Sequence, residues 1–162
     1  MKGWILAVAA LGHAACSGAD ADVAGNYTIA LTNGENGCNF ANWTVGSTAS
    51  GISMVATQDG SKLTVTIEGI ARIYLEGLLG GGGNVFSGTV DGDDMSVESI
   101  GTRSNTSGNC TYTYNSKISG TLDGDVLRGR IEYRAADNGN SDCTTVHGCL
   151  TFQEYNGTRP PQ

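Results

Sequence analysis

The sequence predicts an all-β domain, an antiparallel up-and-down meander of about eight to nine strands closed into a barrel, with a two-layer β-sandwich as the alternative. Three observations carry this: a composition poor in helix formers, a hairpin motif repeated at fixed spacing, and apolar residues that alternate with polar ones. Gly supplies 25 of 162 residues, roughly twice its usual share of about 7%. Both prolines lie in the final Arg159-Pro160-Pro161-Gln162 tail, so none interrupts a candidate strand. Charged residues make up only 15% of the chain, and the polar remainder is rich in Thr, Ser and Asn, which suit strands and turns.

Phe86-Ser87-Gly88-Thr89-Val90-Asp91-Gly92-Asp93 is echoed by Ile118-Ser119-Gly120-Thr121-Leu122-Asp123-Gly124-Asp125, identical at six of eight positions. Asp59-Gly60, Asp91-Gly92 and Asp123-Gly124 stand 32 residues apart. Asp-Gly between alternating apolar residues signals a tight hairpin, because these residues tolerate positive φ. A period of two strands and two connections puts all three tips at one end. The opposite connections, Gly77 to Asn84, Thr102 to Asn109 and Ala135 to Gly148, are longer and make an open end.

In the first strand Tyr27, Ile29 and Leu31 alternate with Thr28, Ala30 and Thr32, the period of two that a half-buried strand requires. Leu127, Gly129, Ile131 and Tyr133 oppose Arg128, Arg130, Glu132 and Arg134, and the charged face must meet water. From Leu63 through Val65 and Ile67 the parity continues past Gly69 to Ala71, Ile73 and Leu75, which reads as one long strand bent at the glycine. The rival is a short helix with the stripe Ile70, Ile73, Tyr74 and Leu78. The expected strands are 26–32, 40–46, 51–57, 61–76, 85–90, 95–101, 110–121, 126–135 and 149–156. A closed barrel buries their apolar face and removes the edges.

Before this domain, 24–157, stands a leader. Lys2 precedes the apolar Trp4 to Leu11, a run too short to span a bilayer, and small residues lead to Cys16. Residues 1–15 resemble a bacterial lipoprotein signal peptide, with His13 where that family has Leu. The resemblance implies acylation of Cys16, a 16–23 tether, and an outer-membrane or cell-surface lipoprotein held by its N-terminal lipid. Cleavage at a small-residue site such as Ser17-Gly18-Ala19 would instead give a secreted protein. Residues 158–162 form a tail. The net charge of −7 repels phosphate backbones and anionic lipid surfaces at long range, so no nucleic-acid partner is expected.

Without Cys16 an even set remains: Cys38, Cys110, Cys143 and Cys149. In an oxidising compartment two disulfides are expected, with three possible connectivities. The short Cys143–Cys149 loop closes most easily and leaves Cys38–Cys110, worth roughly 2 and about 4 kcal/mol in the chain-entropy model. Yet the register sets Cys38 at the tight end and Cys110 at the open one. Either 40–46 is not a strand or the pairing differs.

No catalytic constellation emerges. His147, the one histidine beyond the leader, lies between Cys143 and Cys149 with no recognisable nucleophile nearby. No metal site is expected: Cys143, His147 and Cys149 match no common zinc spacing, and Asp91-Gly92-Asp93-Asp94 lacks the length and terminal Glu of a calcium loop. Gly80 to Gly83 lacks the Lys-Ser/Thr of a phosphate loop. No cofactor is implied. The Asn-x-Ser/Thr sites at Asn26, Asn42, Asn105 and Asn156 are incidental beside a bacterial-type leader. Aromatic residues then become the candidates for lining a barrel mouth: Trp43, Tyr112, Tyr114 and Tyr133 foremost, with Phe86 and Phe152; the alternative is that they fill the interior.

Gly25-Asn26-Tyr27, opening the first strand, resembles the Gly-x-Trp start of the calycins, the lipocalin-like and avidin-like barrels, with Tyr in place of Trp. That resemblance implies a cup for a small hydrophobic ligand. The function expected is therefore an exported, lipid-anchored, non-catalytic binding module for such a ligand. Its alternative is a protein-binding module or inhibitor acting through loops 77–84, 102–109 and 136–148. An enzyme is the third class and the least supported.

Overall fold

The computed structural model describes residues 20–161. The leader, Cys16 and residue 162 lie outside the described residues, and with them the expected cleavage and acylation. Eight long strands, β1 (Gly25–Asn36), β2 (Thr48–Asp59), β3 (Lys62–Ile67), β4 (Val85–Asp91), β5 (Asp94–Ser99), β7 (Cys110–Asp123), β8 (Val126–Asp137) and β9 (Leu150–Thr158), pair antiparallel with their neighbours. β5 pairs with β7, and β9 returns to β1, which closes the barrel. A short β6 (Asn105–Ser107) adds to the start of β7 within the segment expected to be a polar connection.

Side-chain parity is as the alternation requires. Tyr27, Ile29 and Leu31 point inward, as do Leu63, Val65 and Ile67, and Leu127, Ile131 and Tyr133. The three Asp-Gly tips lie together at the tight end. Their two-residue loops are Gly60-Ser61, Gly92-Asp93 and Gly124-Asp125, and each glycine has φ near +60° (59°, 59° and 60°). Gly rather than Asp therefore supplies the left-handed residue, at the first central position as in a type II′ turn.

Two expectations about elements fail. Residues 40–46 are not a strand: they belong to a connection from β1 to β2 in which Asn39 and Asn42 adopt φ of 54° and 60°, conformations that asparagine tolerates and a pleated strand cannot contain. The long strand 61–76 also breaks. Gly69 has φ of 66°, β3 stops at Ile67, and the chain turns into a helix α1 (Gly69–Leu79). The rival helix was right in kind, but its stripe lies on the wrong side. Leu75 and Leu79 are the buried residues, while Ile70, Ile73 and Tyr74 face outward.

With one strand fewer, β1 ends at the open end and carries Cys38 there. The disulfides are Cys38–Cys149 and Cys110–Cys143, which corrects the pairing favoured from loop length. Antiparallel β1 and β9 set Gly37 against Leu150, N–H to carbonyl at 3.0 Å, so Cys38 meets Cys149. Cys143 sits in a 3₁₀ turn, Ser141–Thr145, that turns it onto Cys110 and Val146. Spatial adjacency of the strand ends outweighs the ease of closing a short loop. Two disulfides belong to an oxidising compartment, and no helix among the described residues is long and apolar enough to cross a membrane.

Candidate binding surface at the open end

An eight-stranded barrel has an interior that side chains can just fill, and here they fill it. Tyr27, Phe86, Ile29, Met54, Leu63 and Ile118 are among the largest wholly buried side chains. At the tight end Val23 is fully buried, and its carbonyl accepts from the Tyr27 hydroxyl at 2.9 Å. Arg159 holds this N-terminal segment down, donating to the carbonyls of Asp22 and Ala24 at 2.7 and 2.6 Å and pairing with Asp125.

The open end is closed by two plugs. The first is aromatic. Phe40, on the β1–β2 connection, lies 5.0 Å from the Tyr114 ring, 5.8 Å from Tyr133 and 6.0 Å from Trp43, all edge-on. Tyr112 stacks edge-on against Tyr114 at 5.5 Å. Asn36 brackets Phe40, its amide oxygen accepting from the Phe40 N–H at 2.8 Å and its amide nitrogen donating to the Phe40 carbonyl at 2.9 Å. Trp43 Nε1 donates to the Gly34 carbonyl at 2.9 Å, and the Tyr133 hydroxyl donates to Gln153 at 2.9 Å. Burial pushes the Tyr114 phenol up to about 12, helped by the neighbouring Tyr112, and burial alone raises Tyr133 further. Trp43, Tyr112, Tyr114 and Tyr133 are thus brought together, but around Phe40 instead of around a void. Phe40 itself carried no signal, because its segment read as a strand. Phe86 lies deep in the interior, whereas Phe152 is on the outer wall under the Arg130 guanidinium, 4.0 Å from the ring centre.

The second plug is α1, whose Leu75 and Leu79 join the barrel core. Its C-terminal carbonyls would be orphans; the Thr102 and Arg103 N–H groups donate to Leu79 O at 2.6 and 2.9 Å, and the Arg103 guanidinium donates to Gly77 O. The other side is open: Ile70, Ile73 and Tyr74 are 70, 68 and 73% exposed. Arg72 and Glu76 pair with each other along the flank at 2.9 Å.

The remaining loop, 138–149, is held by Cys110–Cys143 and by Asp142, which accepts from Asn109 at 2.9 and 3.0 Å. His147 is 75% exposed and contacts Asp137, Nδ1 to Oδ2 at 3.0 Å. The Gly139 N–H and then His147 hold the Asp137 carboxyl below its ordinary range. Among the described residues no three His, Cys, Asp or Glu side chains gather as a metal site. Two open depressions, one of about 320 Å³ on the outer wall by Thr121, Arg128 and Glu154 and one of about 480 Å³ by Asp20, Asp22 and Gln58, lie outside the barrel.

No family model matches the chain, and neither a curated protein nor a solved structure matches it significantly.

Proposed function

We propose that this protein is an exported, non-catalytic binding module that engages a protein partner with the open end of its barrel. The observation that carries this reading is the filled and doubly plugged interior. A cup for a small molecule needs a cavity of about 300 Å³ or more, and here the aromatic residues suited to lining one pack on Phe40 and on each other. What remains available for recognition is the outer face of the open end, where α1 and the long loops gather on a disulfide-braced rim. The tight end is suited to a tether: Asp20 accepts from the Gly92 N–H at 3.1 Å beside a hairpin tip. Four residues from an acylated Cys16 would span at most ~14 Å and leave the open end pointing away from the bilayer.

Titration of the purified protein with an environment-sensitive fatty-acid probe is expected to give no saturable signal. Saturable binding that Phe40→Ala alters would restore the ligand-cup reading and refute this one. A lipoprotein-signal-peptidase inhibitor is expected to leave unprocessed precursor in cells; unchanged processing would remove the lipid anchor.

A further inference from the structure

The exposed side of α1 is the feature that the barrel does not explain. A helix covering a barrel mouth needs one apolar stripe, here Ala71, Leu75, Leu78 and Leu79, and a polar opposite face. The opposite face is instead Ile70, Ile73, Tyr74 and Gly77, spaced i, i+3, i+4, i+7, the pattern of anchors by which a helix lies in an apolar groove. Only Arg72 and Glu76 separate the two stripes, and they neutralise each other. A helix apolar on both sides is built to be covered on both.

Three occupants compete for this face. A bilayer is disfavoured by charge, since interfacial helices carry several Lys or Arg on the polar side, whereas α1 has one arginine, already paired, on a chain of net charge −7. A second copy is disfavoured by charge, since two chains of net charge −7 repel each other. Two isoleucines and a tyrosine exposed to this degree instead suit the apolar centre of an interface with a different protein, with the open-end loops as its rim.

Resting on the open-end reading above, we propose that α1 is the binding element, and that it inserts Ile70, Ile73 and Tyr74 into an apolar groove on a different protein whose rim is not acidic. The test places benzoylphenylalanine, a photo-activatable cross-linker, one position at a time in the full chain in its own cells: at 70, 73 and 74, at the flanking 72 and 76, and at 104 and 144 in the loops. The expected result is one heterologous adduct from 70, 73 and 74, about tenfold or more weaker from 72 and 76. Ile73→Ser should abolish the adduct from 70 without lowering the thermal midpoint, because the side chain is exposed, and the cross-linked peptide of the partner should be apolar. Equal yields at all five helix positions, or an adduct indifferent to Ile73→Ser, would overturn the proposal. Adducts from 104 or 144 and none from α1 would overturn it and leave the open-end reading standing; none from any position would overturn both. An adduct of twice the chain mass would make a second copy the occupant. Co-sedimentation with phosphatidylcholine–phosphatidylglycerol vesicles that Ile73→Ser abolishes would make it a bilayer.

Discussion

Adding one methyl group at Gly129 tests how tightly this barrel is coiled. Gly129 on β8 faces Gly120 on β7, within a ladder of twelve residue pairs. A Cβ at Gly129 would lie 1.9 Å from the Ser119 carbonyl oxygen and 2.6 Å from the Gly120 Cα. Both are backbone atoms, so no rotamer change relieves them. Gly129→Ala must push β8 away from β7 by more than an ångström at its centre. Overpacking of this kind costs about 1–3 kcal/mol, and one or two distorted ladder hydrogen bonds add about 1 kcal/mol each. The gain from replacing glycine in a strand returns about 0.5–1 kcal/mol, leaving a net loss of about 3 kcal/mol. For a domain of this size that lowers the thermal midpoint by roughly 10 °C, while a stability of 5–15 kcal/mol keeps the variant folded. The control is Gly77→Ala on α1, where a Cβ meets nothing within 4 Å and helix propensity predicts a gain of up to about 1 kcal/mol. Urea denaturation followed by far-UV circular dichroism measures both. A Gly129→Ala variant within 0.5 kcal/mol of the parent, an order-of-magnitude threshold for surface substitutions, would refute the close approach of the two strands.

Three further outcomes follow from the interior and the rim. Among the described residues the buried Tyr155 hydroxyl has no hydrogen-bond partner, so Tyr155→Phe should stabilise the barrel by about 1 kcal/mol, and a loss of that size in the same denaturation assay would mean that the hydroxyl is satisfied. Burial raises the phenols of Tyr27, Tyr133 and Tyr155, and Tyr114 to about 12, from an ordinary 10.0. The unfolded chain then loses these protons first, so stability should be flat with respect to these groups below pH 10 and fall as pH rises above it. Absorbance at 295 nm should accordingly show late ionisation coincident with unfolding; early, independent ionisation of all the tyrosines would contradict the packing. Non-reducing peptide mapping should recover Cys38 with Cys149 and Cys110 with Cys143, and Cys38→Ser/Cys149→Ser should cost about 5 kcal/mol because its loop spans 111 residues, in the chain-entropy model; recovery of a Cys143–Cys149 peptide would refute the rim.

The features legible in the sequence are those that adjacent residues decide. The hairpin tips at Gly60, Gly92 and Gly124 depend on the φ that a single residue tolerates, and the inward parity of Tyr27, Leu63 and Ile131 depends on strand pleating, so both were written in adjacent residues. From these, with the 32-residue spacing, the all-β meander and its tight and open ends follow. Gly69 shows where local information ends: Ala71, Ile73 and Leu75 satisfy a period of two, Leu75 and Leu79 one of four, and only packing over the barrel mouth selects the helix and turns Ile70, Ile73 and Tyr74 outward. The disulfides are likewise tertiary, since Cys38 and Cys149 become neighbours only when β9 closes onto β1. The aromatic cluster was half legible: Trp43, Tyr112, Tyr114 and Tyr133 were identifiable by type, but Phe40, the ring that fills the space among them, enters through a connection whose path two left-handed asparagines decide. Residue order determined which faces are apolar; closure of the sheet determined what covers them, and left one side of α1 uncovered.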